Sequence, residues 1–227
     1  MKIGILQTGH APDAILGETG DYHQLFERLL AGHDFTFKTW AVVDNVPLPR
    51  PDEADGWLIT GSRHGAYEDH PWIPPLEALI RQIRDSGRPL IGVCFGHQII
   101  AQALGGTVEK FPGGWAVGRQ TYQYGGRDVA VNAWHQDQVT TLPEGATVLG
   151  GNAFAPHAFL GYGDTIWTCQ PHPEFDSAFI DGLLTHRAPG NVPQHLIDGA
   201  AERLDQPTDR LEVAEEMARF FMKERVA

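Results

Sequence analysis

Cys94 stands between two glycines in Gly92-Val93-Cys94-Phe95-Gly96-His97-Gln98. The apolar run Pro89-Leu90-Ile91 precedes this stretch, and the helical pattern Gln98-Ile99-Ile100-Ala101-Gln102-Ala103-Leu104 follows from it. A thiol at a sharp strand-to-helix turn has the form of a nucleophile elbow, with cysteine where many hydrolases carry serine. Glycine on either side lets the backbone bend and lets a neighbouring chain approach. The helix start adds positive potential and free N–H groups, both of which favour a thiolate. Taken alone, the stretch leaves two readings open: an activated nucleophile, or a structural turn around a buried and inert cysteine.

A nucleophilic cysteine needs a base, and the base needs an orienting group. Gln170-Pro171-His172-Pro173-Glu174-Phe175 offers both, directly after the apolar run Thr165–Cys169. Residues two apart on an extended chain share a face, so His172 and Glu174 project together and the carboxylate can hold the imidazole in one tautomer. The flanking prolines restrict the histidine's backbone. Cys94, His172 and Glu174 are therefore the candidate catalytic residues, on the logic of a nucleophile, base and acid acting in series. Cys169 lies in an apolar run and is expected to be buried and unreactive. His64 and His70 flank Glu68 and Asp69; loop polarity accounts for them, and neither a metal site nor a cofactor is expected. Asp137 reads as structural. Gly113-Gly114-Trp115-Ala116-Val117-Gly118 reads either as a loop beside the pocket or as a plain turn with a packed tryptophan.

The elements that must position these groups follow from periodicity. Ile3–Leu6, Phe35–Val43, Trp57–Thr60 and Pro89–Cys94 read as strands, and Tyr22–Leu30, Leu76–Ile83 and the segment after Cys94 as helices. Alternation of this kind predicts an α/β fold with a doubly wound, mostly parallel sheet flanked by helices. Ligands then bind beyond the carboxyl ends of the strands, where Gly61-Ser62 and Cys94 both fall. The second half changes character: Thr107–Phe111, Val117–Tyr124, Val129–Trp134, Thr147–Leu149 and Thr165–Cys169 are short strand-like runs, predicting an antiparallel extension of the sheet. Phe179–Leu184 opens a helical region, interrupted at Ala188-Pro189-Gly190-Asn191. Leu211, Ala214, Met217 and Phe221 recur at helical spacing, as a terminal helix packed on the core requires.

The chain has 227 residues, enough for one sizeable core, so a single domain over 1–227 with a C-terminal helical segment 176–227 is expected. Its net charge of −12 argues against nucleic acid or an anionic membrane as the main partner. Two cysteines cannot form a disulfide framework. The apolar run at the N-terminus is too short for a signal peptide and no segment reaches membrane-spanning length, so a reducing, cytoplasmic setting is expected.

Five blocks in order make the chain similar to the class I (triad-type) glutamine amidotransferases over nearly its whole length: Ile59-Thr60-Gly61-Ser62, Gly92–Gln98, Gly105-Gly106-Thr107-Val108-Glu109, Trp134-His135-Gln136-Asp137-Gln138-Val139 and Gln170–Phe175. Within that family it most resembles the stand-alone, GMP-synthase-like members. The resemblance implies a flavodoxin-like amidotransferase fold and a Cys94-His172-Glu174 triad that hydrolyses the side-chain amide of glutamine through a glutamyl thioester, releasing ammonia and glutamate. It also implies an oxyanion hole at the backbone N–H groups of Gly61 and Phe95, and substrate binding by Gln98, Trp134, His135 and Gln136. Some stand-alone members act on γ-glutamyl peptides with the same triad. A third reading is a partner-dependent regulatory or ammonia-delivering subunit, so a synthase or acceptor-domain partner belongs among the expectations. An α/β-hydrolase esterase fits poorly with a cysteine nucleophile and a histidine followed by glutamate two residues later.

Overall fold

The computed structural model describes residues 1–224. Four mostly apolar strands form its centre: β1 (Lys2–Gln7), β3 (Gly56–Ile59), β4 (Leu90–Val93) and β11 (Ile166–Cys169). With β2 (Thr36–Ala41) at one edge they run parallel in the order β2-β1-β3-β4-β11. Continuous apolar runs are what a sheet covered on both faces demands. The period of two is visible in where the side chains go. Ile3, Ile5, Leu58, Ile91 and Val93 enter one apolar cluster, whereas Leu6, Trp57, Ile59 and Leu90 enter the opposite one.

Helices supply the two outer layers. On one face lie α3 (Ile73–Asp85) and α4 (Phe95–Ala103); on the other lie α2 (Tyr22–Leu29) and α7 (Arg210–Met222). The α3 stripe Ile73, Leu76, Leu79, Ile80 and Ile83 is buried, as its spacing requires. This helix begins three residues before the predicted Leu76, because Pro74 and Pro75 occupy a first turn whose N–H groups need no intrahelical partner. In α2 the Asp21 carboxylate and the Gln24 side chain close a reciprocal cap.

Beyond β11 the sheet continues through β10 (Phe159–Tyr162), β9 (Ala146–Gly151), β6 (Ala116–Tyr124) and β7 (Arg127–His135), all antiparallel. The predicted antiparallel extension is thus present, with two differences. The Thr165–Cys169 run lies beside β4 and parallel to it, in the middle of the sheet. The Thr107–Phe111 run forms β5 (Thr107–Lys110), which leaves the main sheet and pairs with β8 (Asp137–Thr141) in a separate ribbon. The remaining helices are α1 (Asp13–Thr19), α5 (Ser177–His186) and α6 (Gln194–Ala201). Of the C-terminal segment 176–227, residues 225–227 lie outside the described residues. Among the described residues no helix is long and apolar enough to cross a membrane.

Candidate active site

The loops after β1, β3, β4 and β11 converge at the carboxyl edge of the parallel strands, next to the point where strand order reverses around β1. Cys94 follows β4 with φ 52° and ψ −103°, a left-handed conformation that costs a non-glycine residue about 1–3 kcal/mol. Its neighbours hold it there. Cys94 N–H donates to Cys169 O (2.8 Å) on β11, and Gly96 N–H donates to Thr60 O (3.1 Å) after β3. The glycines are required by close approach: a Cβ on Gly92 would lie 2.5 Å from Gly96 O, and one on Gly96 would lie 2.3 Å from Ile59 O.

His172 and Glu174 follow β11. Glu174 Oε1 accepts from His172 Nδ1 at 2.7 Å, which leaves Nε2 for the thiol, and all three residues are at most 5% exposed. Burial alone would pull the pKa of His172 down. The charges of Glu174 and Cys94, with hydrogen bonds to both, outweigh it and push the imidazole up to about 10. The ring stacks on Phe175 at 4.0 Å and 4°. Its backbone is pinned as well: His172 N–H donates to Asn132 O (2.7 Å), and Asn132 Nδ2 donates to Phe175 O (3.0 Å). The structure therefore brings together Cys94, His172 and Glu174.

Gly61 sits against this group. A Cβ there would come within 2.9 Å of His172 Cε1 and 3.8 Å of Cys94 Cβ. The Thr60 carbonyl accepts from both Gly96 N–H (3.1 Å) and Thr8 Oγ1 (2.9 Å), which fixes the peptide plane carrying Gly61 N–H. Phe95 opens α4, so its N–H has no acceptor within that helix.

A cavity of about 160 Å³ opens in front of Cys94, and Gln98, Trp134, His135 and Gln136 all contribute to its wall. Gln98 is committed to the protein, donating to Asp137 O (2.9 Å) and Gln170 Oε1 (3.1 Å). Trp134 and His135 are not fully committed: among the described residues, the buried indole N–H and imidazole Nε2 have no hydrogen-bond partner. His135 Nδ1 donates to Asp137 O (3.2 Å), and burial, reinforced by the charge of His172, pulls its pKa down to about 3. The neutral ring thus presents a lone pair at Nε2.

Several contributors are not evident from the motifs. Asn132 carries a signal in retrospect, being the single polar residue inside the apolar run Val129–Trp134. Arg63 and Arg187 have none; they line both the cavity at Cys94 and a second of about 390 Å³ beside it, reached past Gly9, His10 and His186. Trp115 joins the wall, so Gly113-Gly114-Trp115 is a loop beside the pocket, while Ala116-Val117-Gly118 already belong to β6. Asp137 joins it too, with its main chain serving Gln98 and His135. Cys169 is fully buried, as expected, with its thiol pushed well up by burial.

Residues 39–182 match the family model described as glutamine amidotransferase class-I, and the chain belongs to that family. Gamma-glutamyl peptidase 4 of Arabidopsis thaliana is 28% identical over 224 residues, which cover 90% of this chain and 88% of that protein. A glutamine-hydrolyzing GMP synthase of Thermobifida fusca is 34% identical over 133 residues, covering 52% of this chain and 23% of the synthase. The crystal structure of a glutamine amido transferase from Methylobacillus flagellatus shares the fold, with a TM-score of 0.79, 21% identity, and coverage of 97% of this chain and 92% of that one.

Proposed function

We propose that the protein is a cysteine-dependent amidohydrolase that cleaves the γ-amide of a glutamyl group. The observation that carries this reading is the convergence of Cys94, His172 and Glu174 in one buried cluster beside an open cavity. Cys94 Sγ, its proton already resting on His172 Nε2, attacks the γ-carbonyl carbon, and His172 hands that proton to the departing nitrogen. The oxyanion formed in that step is received by the N–H groups of Gly61 and Phe95. Water, deprotonated by His172, then cleaves the glutamyl thioester and frees Cys94. Trp134 N–H suits the α-carboxylate of the substrate, and the lone pair on His135 Nε2 suits its ammonium group. With glutamine as substrate the products are glutamate and ammonia. Glutamate release by the purified protein should fall at least about 10³-fold in Cys94→Ala; release unchanged by that substitution would sink the reading.

The adjoining cavity favours a second reading of the substrate. It shares Arg63, His64 and Arg187 with the space in front of Cys94, so a leaving group larger than ammonia, bearing a carboxylate, has room and countercharge. That is the shape of a γ-glutamyl peptide, in line with the similarity to a γ-glutamyl peptidase over most of both chains. Comparison of kcat/KM for a γ-glutamyl dipeptide and for glutamine decides between them. Delivery of ammonia to a synthase or acceptor-domain partner uses the same chemistry and is supported by the match to GMP synthases. A protein that stays monomeric and fully active in cell extract argues against it.

A further inference from the structure

At the mouth of the same cavity the loop between β3 and α3 gathers His64, Glu68 and His70. One ligand atom from each lies within 4.8 Å of the other two. Glu68 Oε2 accepts from His64 Nδ1 (3.2 Å) and from His70 Nε2 (2.7 Å), so a single carboxylate oxygen already draws both imidazoles toward one point. Nitrogen, nitrogen and oxygen from two histidines and a carboxylate are the donors that hold a tetrahedral zinc ion with one position open. Bonds of about 2.0–2.2 Å to a common ion would leave the donors about 3.3 Å apart, close to the 3.2 Å and 2.7 Å of the two histidine–carboxylate contacts, so the cluster needs only a small adjustment.

The arrangement is built, not a chance meeting of flexible side chains. His70 stacks on Trp72 at 5.6 Å and 9°, His64 meets the same indole edge-on at 5.9 Å, and the two imidazoles lie 4.1 Å apart. Trp72 is itself buried against Phe95, the residue after the thiol. The loop backbone is tied by Glu68 N–H to Gly65 O (3.1 Å) and by Ile73 N–H to His70 O (3.0 Å). The side chains of His64, Glu68 and His70 are 18%, 42% and 30% exposed, open enough for an ion to enter from solvent. A protein of net charge −12 also concentrates cations at its surface.

We infer that His64, Glu68 and His70 form a zinc-class divalent cation site that controls entry to the cavity at Cys94. His64 and Glu68 line that cavity, so an ion drawing them together fixes its rim and places a positive charge there. The inference does not depend on which substrate the thiol attacks.

The test is titration of the Cys94→Ala protein with Co²⁺ alone, which removes the competing thiol. One ion should bind with a visible tetrahedral spectrum that lacks thiolate-to-cobalt charge transfer. Affinity should fall at least tenfold in Cys94→Ala/His70→Gln, with thermal melting in the absence of metal checked to be unchanged. In protein with Cys94 intact, Zn²⁺ should change glutamate release saturably, and His70→Gln should abolish that response. Binding equally tight in the His70→Gln background, or binding that requires Cys94, would overturn the inference. If His70→Gln alters the metal-free melting, His64→Gln serves as the second variant, under the same two outcomes.

Discussion

His172 carries opposing influences within a single side chain. Burial disfavours its charged form, yet Glu174 at 2.7 Å and Cys94 hold it protonated up to about pH 10. A folded pKa raised above the unfolded value contributes stability that is complete below about pH 6.5 and is lost as pH rises towards 10. Removing the carboxylate charge lowers the imidazole's pKa. Glu174→Gln should therefore shift the alkaline limb of the kcat/KM profile to lower pH and reduce kcat by about 10²-fold or more. A limb that stays in place or moves upward would show that Glu174 does not act through His172. That the two residues pair was legible from their closeness in sequence, but they meet across a turn closed by Phe175 N–H to His172 O (3.3 Å) and not along the extended chain that the spacing predicts. The partnership with Cys94 was expected only from what a nucleophile needs and from the family resemblance; the physical link across 78 positions is the parallel pairing of β11 with β4, which brings the ends of those strands together.

At the scale of elements, β7 acts as a strut for the catalytic segment. Asn132 on this strand holds the backbone at both His172 and Phe175, from a position where a buried polar group must earn its place by bonding. Asn132→Ala leaves the Phe175 carbonyl unsatisfied and should cost about 1–3 kcal/mol. The loss should show as a lower urea midpoint, with kcat falling more than KM changes. Unaltered kcat in a destabilised variant would reduce Asn132 to a purely structural group. The central strands and α2, α3, α5 and α7 were readable because their apolar periodicity is strong. The elements α1 and α6 were not: each buries a single residue, Ile15 and Ala200, so no apolar stripe announces them. The short β10 hides for another reason, since its Phe159-Leu160-Gly161-Tyr162 run contains a glycine that reads as a turn.

Across the whole molecule, acid sensitivity is concentrated in histidines that the fold buries as neutral rings. His97 donates or accepts at Thr168 Oγ1 (2.7 Å), and burial, with His135 and His157 nearby, pulls its pKa down to about 3. His135 behaves alike. For a base with a lowered folded pKa the unfolded chain binds more protons between about pH 6.5 and 3, so stability is complete above that window and falls as pH drops through it. His97→Gln should flatten the decline of the urea midpoint between pH 7 and pH 5; an equally steep decline would place the sensitivity elsewhere. The sequence marked His97 only as part of the elbow motif. Its burial depends on packing across α4 and β11, which no local pattern encodes.

The elbow has a consequence that can be followed with deuterium. The amides of Cys94 and Gly96 are locked into β11 and the loop after β3, so isotope should enter both only when the sheet opens as a whole. Phe95 lies between them, and its N–H is free of the helix that it begins. Under the proposed role it should exchange fast in the resting protein and slow once a glutamyl analogue is trapped on Cys94. Three consecutive amides would then read as slow, fast, slow at rest, and as uniformly slow in the acylated protein, a record of the reaction written in the backbone itself.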